Sequence, residues 1–160
     1  MPELPEVETV RRGLSRVSLN QTVRGGDVRL ARSVEYPGLA DADKDLHPAD
    51  WLGVHLRMTG QLLWVSQAEP VQTHCRVRLF FDDDRELRYV DQRTFGRLWL
   101  VPPEQPVESI MTGLQKLGPE PFSEDFSVAY LAASLKGRQR PIKNALLAQR
   151  LVAGIGNIYD

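Results

Sequence analysis

The sequence predicts an α+β protein: a short amphipathic N-terminal helix, an antiparallel β-sandwich that it caps, and a helical region after them. Three observations predict it. Val7, Val10 and Leu14 repeat at helical spacing. Residues 22–101 contain several short alternating runs with turn residues between them. From about Pro106 onward the periodicity is helical again. The change falls near LGPEPF, residues 117–122, so two domains are expected, residues 1–116 and 117–160. A chain of 160 residues is long enough for one substantial core or two small ones.

Each element has its own signal. In MPELPEVETVRRGL, Pro5 suits a first helical turn and Glu6 and Glu8 meet the positive end of the macrodipole. Arg11 and Arg12 lie toward the other end, and Gly13 supplies a stop. Residues 22–30 alternate as a strand, whereas YPGLADADKDLHPAD at 36–50 has no periodicity and reads as a loop. Residues 51–65 are strand-like on both sides of Thr59-Gly60, which suggests a hairpin. A second hairpin is clearer: Val77, Leu79 and Phe81 alternate with Arg76 and Arg78, and Asp82-Asp83-Asp84 turns the chain into Leu87 and Tyr89. Residues 95–101 form another strand that stops at Pro102-Pro103. Helices are expected over 107–114, from a Ser123 cap to Leu135 with Gly137 closing it, and from Pro141 to about Val152.

Composition narrows the function classes. A content of 42% hydrophobic and 26% charged residues is that of a soluble globular protein. No apolar run approaches the roughly 18 residues of a membrane span, and the start lacks a secretory pattern, so a cytoplasmic protein without a membrane partner is the expectation. The single cysteine, Cys75, excludes an internal disulfide and any four-cysteine zinc site in this chain, and no metal ligands are expected. The net charge of −1 carries no global signal. Its distribution does: Lys136, Arg138, Arg140, Lys143 and Arg150 fall in a stretch with no acidic residue, either a phosphate-binding patch or a solvated helix face.

The chemistry is concentrated at the start. Removal of Met1, which a small second residue usually permits, leaves Pro2 with a free secondary amine. An α-amino group titrates near pH 8, so at neutral pH about a tenth or more is unprotonated and nucleophilic. Attack on a sugar C1′ gives an iminium ion, which makes the C2′ hydrogen acidic and opens a route to strand cleavage by elimination. Glu3, next to it, can shuttle the protons.

This segment resembles the N-terminus of the bacterial formamidopyrimidine-DNA glycosylases, bifunctional enzymes that remove oxidised purines. The PELPEVETVRRGL form favours that group over the sister enzymes that prefer oxidised pyrimidines. The resemblance implies that Pro2 is the nucleophile and that Glu3 and Glu6 are catalytic carboxylates, although Glu6 also suits a plain first-turn helix acid. HLRMTG and DQRTFGR resemble the loops that insert a methionine, an arginine and a phenylalanine into the vacated stack, here Met58, Arg93 and Phe95. Read alone, Met58 also suits a core gap and Phe95 a strand. His74 and Arg93 resemble contacts to the DNA backbone. GRQRPIKNALLAQRLVAGIGNIY, residues 137–159, is the second strong match. It implies a helix-two-turn-helix motif in which Lys143 and Asn157 grip phosphate and Arg138 makes a further DNA contact, on a turn whose backbone N–H groups are exposed.

The resemblance therefore implies an α+β fold, an N-terminal β-sandwich followed by a truncated helix-two-turn-helix domain. It implies excision of 8-oxoguanine and formamidopyrimidines from damaged duplex DNA through a proline Schiff base, followed by β-elimination. Three departures bear on activity. The family's Arg-Arg-Gly-Lys-Tyr-Leu stretch is absent between Val28 and Trp51, and Lys44 is no convincing substitute for its lysine. LLDQ reads LLAQ at Ala148. The third helix and the four-cysteine finger that carries the family's structural zinc are expected beyond Asp160. These departures lead us to expect a poor repair enzyme, the alternative being a DNA-binding remnant, monomeric unless apolar surface at Leu146, Leu147 and Ile158 drives self-association.

Overall fold

The structure is a computed structural model that describes residues 2–36 and 51–157. The chain forms two compact units, Thr9–Met111 and a second made of Met1–Glu8 with Thr112–Asp160. Helix α1, Leu4–Ser18, continues through Gly13 rather than stopping there. A helical glycine costs about 1 kcal/mol, which the packing of Leu14 against the sandwich core outweighs. The helix ends instead where Asn20 turns left-handed at φ 64°, a conformation asparagine tolerates.

The larger unit is the sandwich. One sheet has the order β1 (Val23–Val28), β5 (Cys75–Phe81), β6 (Arg85–Asp91), β4 (Gly60–Ser66); the other has β2 (Val34–Tyr36), β7 (Arg97–Val101), β3 (Trp51–His55). Val77, Leu79, Phe81, Leu87 and Tyr89 of the first sheet and Val34 and Leu98 of the second form the buried core. All pairings are antiparallel except the short parallel β2–β7 pair. The hairpin β5–β6 is present, with Leu79 opposite Leu87. Asp83 and Asp84 both take positive φ, 57° and 54°, at the two central positions of the turn that Arg85 N–H closes on the Asp82 carbonyl, the backbone that matches strand twist.

The hairpin expected around Thr59-Gly60 does not form. Strand β3 pairs with β7 and β4 with β6, so the chain crosses from one sheet to the other there. Both strands carry an apolar face, and alternation alone does not say which neighbour that face shares. The loop expected over 36–50 lies outside the described residues beyond Tyr36, which ends β2. Strand β6 also buries three charged residues, Glu86, Arg88 and Asp91: Arg88 pairs with Glu86 and donates to the carbonyls of Glu69 at 2.7 Å and Pro70 at 2.8 Å. A buried guanidinium persists only when paired and hydrogen-bonded in this way.

The smaller unit holds α3, which an earlier short helix, α2 (Val107–Ile110, in the sandwich unit), precedes in the chain. Helix α3 spans Val128–Leu135 and is capped by Ser127, whose hydroxyl accepts from the Tyr130 N–H, rather than by Ser123. Gly137 at φ 73° follows its end. Helix α4 covers only Ile142–Leu146, shorter than the expected run to Val152. The reason is tertiary pairing: Gly118 N–H donates to the Gln149 carbonyl at 2.7 Å and Ala153 N–H to the Pro119 carbonyl at 3.0 Å, bonds that draw this backbone out of a helix.

Candidate functional site

The N-terminus is seated on a glycine turn. Leu4 N–H donates to the Gly154 carbonyl at 2.8 Å, and Glu3, 4% exposed, accepts from Gly156 N–H through Oε2 at 2.9 Å. The seat requires glycine twice. Gly154 has φ 86°, and a Cβ on Gly156 would lie 2.5 Å from Glu3 Oε1. Gln149 fixes the turn from inside, accepting from Gly154 N–H at 2.7 Å and donating to the Ile155 carbonyl at 2.6 Å. The Gly154 and Gly156 N–H groups are therefore engaged within the protein, not exposed as the sequence suggests. Glu6 Oε2 accepts from Glu3 N–H at 3.0 Å, half of a capping box at the start of α1. Glu3 is thus held from both sides, by its side chain on the turn and by its N–H on Glu6. Pro2 is half-buried immediately before it.

The same unit carries the basic stretch. Lys136, Arg138, Arg140, Lys143 and Arg150 are exposed, as is Asn157 directly after the glycine turn. A row of exposed cations without carboxylates among them is electrostatically suited to a polyanion.

On the sandwich unit, Met58, Arg93 and Phe95 come together. Arg93 Nη1 lies 3.0 Å from the Met58 sulfur and its guanidinium sits 5.1 Å over the Phe95 ring. Met58 is 57% and Phe95 52% exposed, which settles that neither fills the core. Their loops are tied by Asp91, 1% exposed, the last residue of β6. Its Oδ1 accepts from the Thr59 hydroxyl and from Arg93 N–H at 3.2 Å, and its Oδ2 from Gly96 N–H at 2.9 Å and the Tyr89 hydroxyl at 3.0 Å. Burial disfavours its charge, but these hydrogen bonds outweigh burial and hold the carboxyl below its usual range. Tyr89 is pushed up, by burial first and then by its bond to Asp91. His74 is half-buried, its Nδ1 3.2 Å from Arg76 and its carbonyl accepting from Asp91 N–H at 3.0 Å. Asp91, Thr59 and Gln149 were not singled out by the sequence; the first lies inside DQRTFG and the last inside LLAQ, so the motifs held the signal.

Among the described residues no group of three or more His, Cys, Asp or Glu is placed to hold a metal, and no helix is long and apolar enough to cross a membrane.

A sandwich with an exposed Met-Arg-Phe tip, together with a helical unit that seats the N-terminus, defines a class of α+β proteins with solved members. A Lactococcus lactis Fpg in complex with abasic-site DNA matches with a TM-score of 0.83 and 32% identity, over 98% of this chain and 64% of that one. The same protein with Fapy-dG DNA matches with a TM-score of 0.83 over 65% of its length. The sequence model of the formamidopyrimidine-DNA glycosylase N-terminal domain matches residues 1–47 and 41–98, and that of the H2TH domain residues 117–160. The chain belongs to the formamidopyrimidine-DNA glycosylase family. The Acaryochloris marina and Nostoc punctiforme formamidopyrimidine-DNA glycosylases are 54% and 55% identical to it over 99% of its length. The chain spans 65% and 62% of those relatives. The first alignment extends over 184 positions against the 160 residues present, so the relative carries residues with no counterpart here.

Proposed function

We propose that this chain is a DNA repair glycosylase with abasic-site lyase activity that acts on oxidised purines in duplex DNA. The observation that carries the reading is the seat of Glu3: a buried carboxylate fixed on the glycine turn immediately after Pro2. In this reading Met1 is removed and the Pro2 amine attacks C1′ of the damaged nucleotide. The base departs, and the resulting iminium ion acidifies the C2′ hydrogen. Glu3 then takes and returns protons at the sugar, and elimination breaks the strand on the 3′ side. Glu6 acts through Glu3, by holding its N–H. Lys143, Asn157 and Arg138 grip phosphates, with His74 and Arg93 as further backbone contacts. Met58, Arg93 and Phe95 fill the space left by the extruded nucleotide. Residues 1–116 form the catalytic domain and 117–160 the DNA-binding one.

A second reading, binding without turnover, is favoured by one observation: the N-terminal family model matches in two pieces that overlap at 41–47, within the span between Val28 and Trp51 where the resemblance puts the family's lysine-bearing stretch. The two readings separate in a single-turnover assay on an 8-oxoguanine duplex and on a preformed abasic duplex. Glycosylase action releases base and leaves a β-elimination product. The binding reading gives a gel shift with intact strands, and with that result the enzymatic reading fails.

A further inference from the structure

Asp91 has no part in the steps described above, yet it is among the most completely hydrogen-bonded side chains in the sandwich unit. Oδ1 accepts from the Thr59 hydroxyl, one residue after Met58, and from Arg93 N–H at 3.2 Å; the Thr59 oxygen accepts from the same Arg93 N–H at 3.1 Å. Oδ2 holds Gly96 N–H at 2.9 Å, one residue after Phe95, and the Tyr89 hydroxyl of β6 at 3.0 Å. Between these anchors Thr94 has φ 58°, which a β-branched residue adopts only when its surroundings hold it there. Arg97 helps by donating to the Thr94 carbonyl at 3.3 Å.

We propose that Asp91 is the positioning residue of the wedge: its two oxygens join the Met58 loop to the 92–96 loop, so that Met58, Arg93 and Phe95 enter a DNA stack as one pre-formed unit. The inference rests on the function proposed above. Every partner of the Asp91 side chain is a donor, so a carboxylate is required. An amide there turns its NH2 toward a donor on one side and releases one of the two loops. A wedge ordered in advance loses little freedom on insertion, whereas one ordered by DNA pays that entropy at the moment of insertion.

The test uses a duplex with a tetrahydrofuran abasic analogue opposite 2-aminopurine, whose fluorescence reports stacking without any need for turnover. The full chain, D91N, T59A and T59S are compared at saturating protein, together with F95A and D91N/F95A. The wild-type chain should change the fluorescence on binding. D91N and T59A should lower the equilibrium constant for insertion by about tenfold, the order expected for loss of hydrogen bonds to a charged group. T59S keeps the hydroxyl and should restore insertion, a rescue that general destabilisation does not produce. F95A should add little to D91N, since both act on one unit. If D91N fails to fold, the T59A and T59S pair decides alone. Insertion by T59A and D91N at the wild-type level, or losses that simply multiply in D91N/F95A, overturn the positioning role. A wild-type chain that binds no abasic duplex overturns the proposed function itself, and this inference falls with it.

Discussion

Gly156→Ala separates the chemistry of the N-terminus from its folding. The added Cβ lies 2.5 Å from Glu3 Oε1 and 2.6 Å from Cδ, whereas ordinary contact begins at 3.4 Å, so the carboxylate must retreat by about 1 Å. It can do so, because the colliding atoms are the far end of a flexible side chain. The fold therefore survives, but the 2.9 Å bond from Gly156 N–H to Oε2 breaks. A hydrogen bond to a charged group contributes about 1.5–3 kcal/mol, and a 1 Å misplacement of a reacting group costs about a hundredfold in rate. Both routes lead to the same expectation. Strand scission at a preformed abasic site under single-turnover conditions should slow by about a hundredfold, and loss of a bond worth about 1.5–3 kcal/mol should lower Tm by about 3–12 °C, at about 2–4 °C per kcal/mol in a chain of this size. Gly154→Ala should lose stability without a comparable loss of scission rate. Its φ of 86° and a Cβ 2.7 Å from Leu4 Cβ, which starts α1 and cannot swing aside, strain the fold itself. A loss of about 2 kcal/mol or more should lower Tm by about 4–8 °C. Scission by Gly156→Ala at the wild-type rate would refute the reasoning, as would equal losses of scission rate in the two variants.

Three further outcomes are expected. Lys143→Ala and Asn157→Ala should weaken binding to damaged and undamaged duplexes alike, and loss of Lys143 should reduce the slope of log K against log salt by about one; an effect confined to lesion DNA would contradict a phosphate-gripping role. Phe95→Ala should reduce excision from an 8-oxoguanine duplex more than it reduces affinity for an abasic duplex, where less stacking must be broken, and equal losses would mark a structural residue. Asp84→Gly should stabilise the chain by about 0.5–1 kcal/mol in thermal melts, because glycine takes the observed φ of 54° without strain; destabilisation would mean that the Asp84 side chain supports the turn.

Much of this architecture was legible because local pattern and tertiary demand agree. Residues 75–91 alternate cleanly and turn on aspartates, so the β5–β6 hairpin and its inward face could be read directly. Elsewhere long-range terms decide. Thr59-Gly60 has the composition of a hairpin turn, but β3 and β4 each find a better partner across the sandwich. Residues 147–152 have helical periodicity, yet the backbone bonds of Gln149 to Gly118 and of Ala153 to Pro119 win. Gly13 is a plausible stop until Leu14 has a core to pack on. The site divides in the same way. Pro2, Glu3 and the Met58, Arg93 and Phe95 group stand out by residue type and motif. What holds them does not: Glu3 and Gly156 are separated by nearly the whole chain, and Asp91 is an unremarked aspartate until its four donors converge on it.

The central claim is that the Pro2 amine, backed by Glu3, forms a covalent bond to an abasic sugar. Borohydride reduction of the full chain on abasic-site DNA, followed by mass mapping of the cross-linked peptide, tests it most directly and needs only one turnover. The account predicts a trapped complex whose modified residue is an N-terminal Pro2, and none from Pro2→Gly. Cross-linking at an internal lysine, or undiminished trapping by Pro2→Gly, would contradict it.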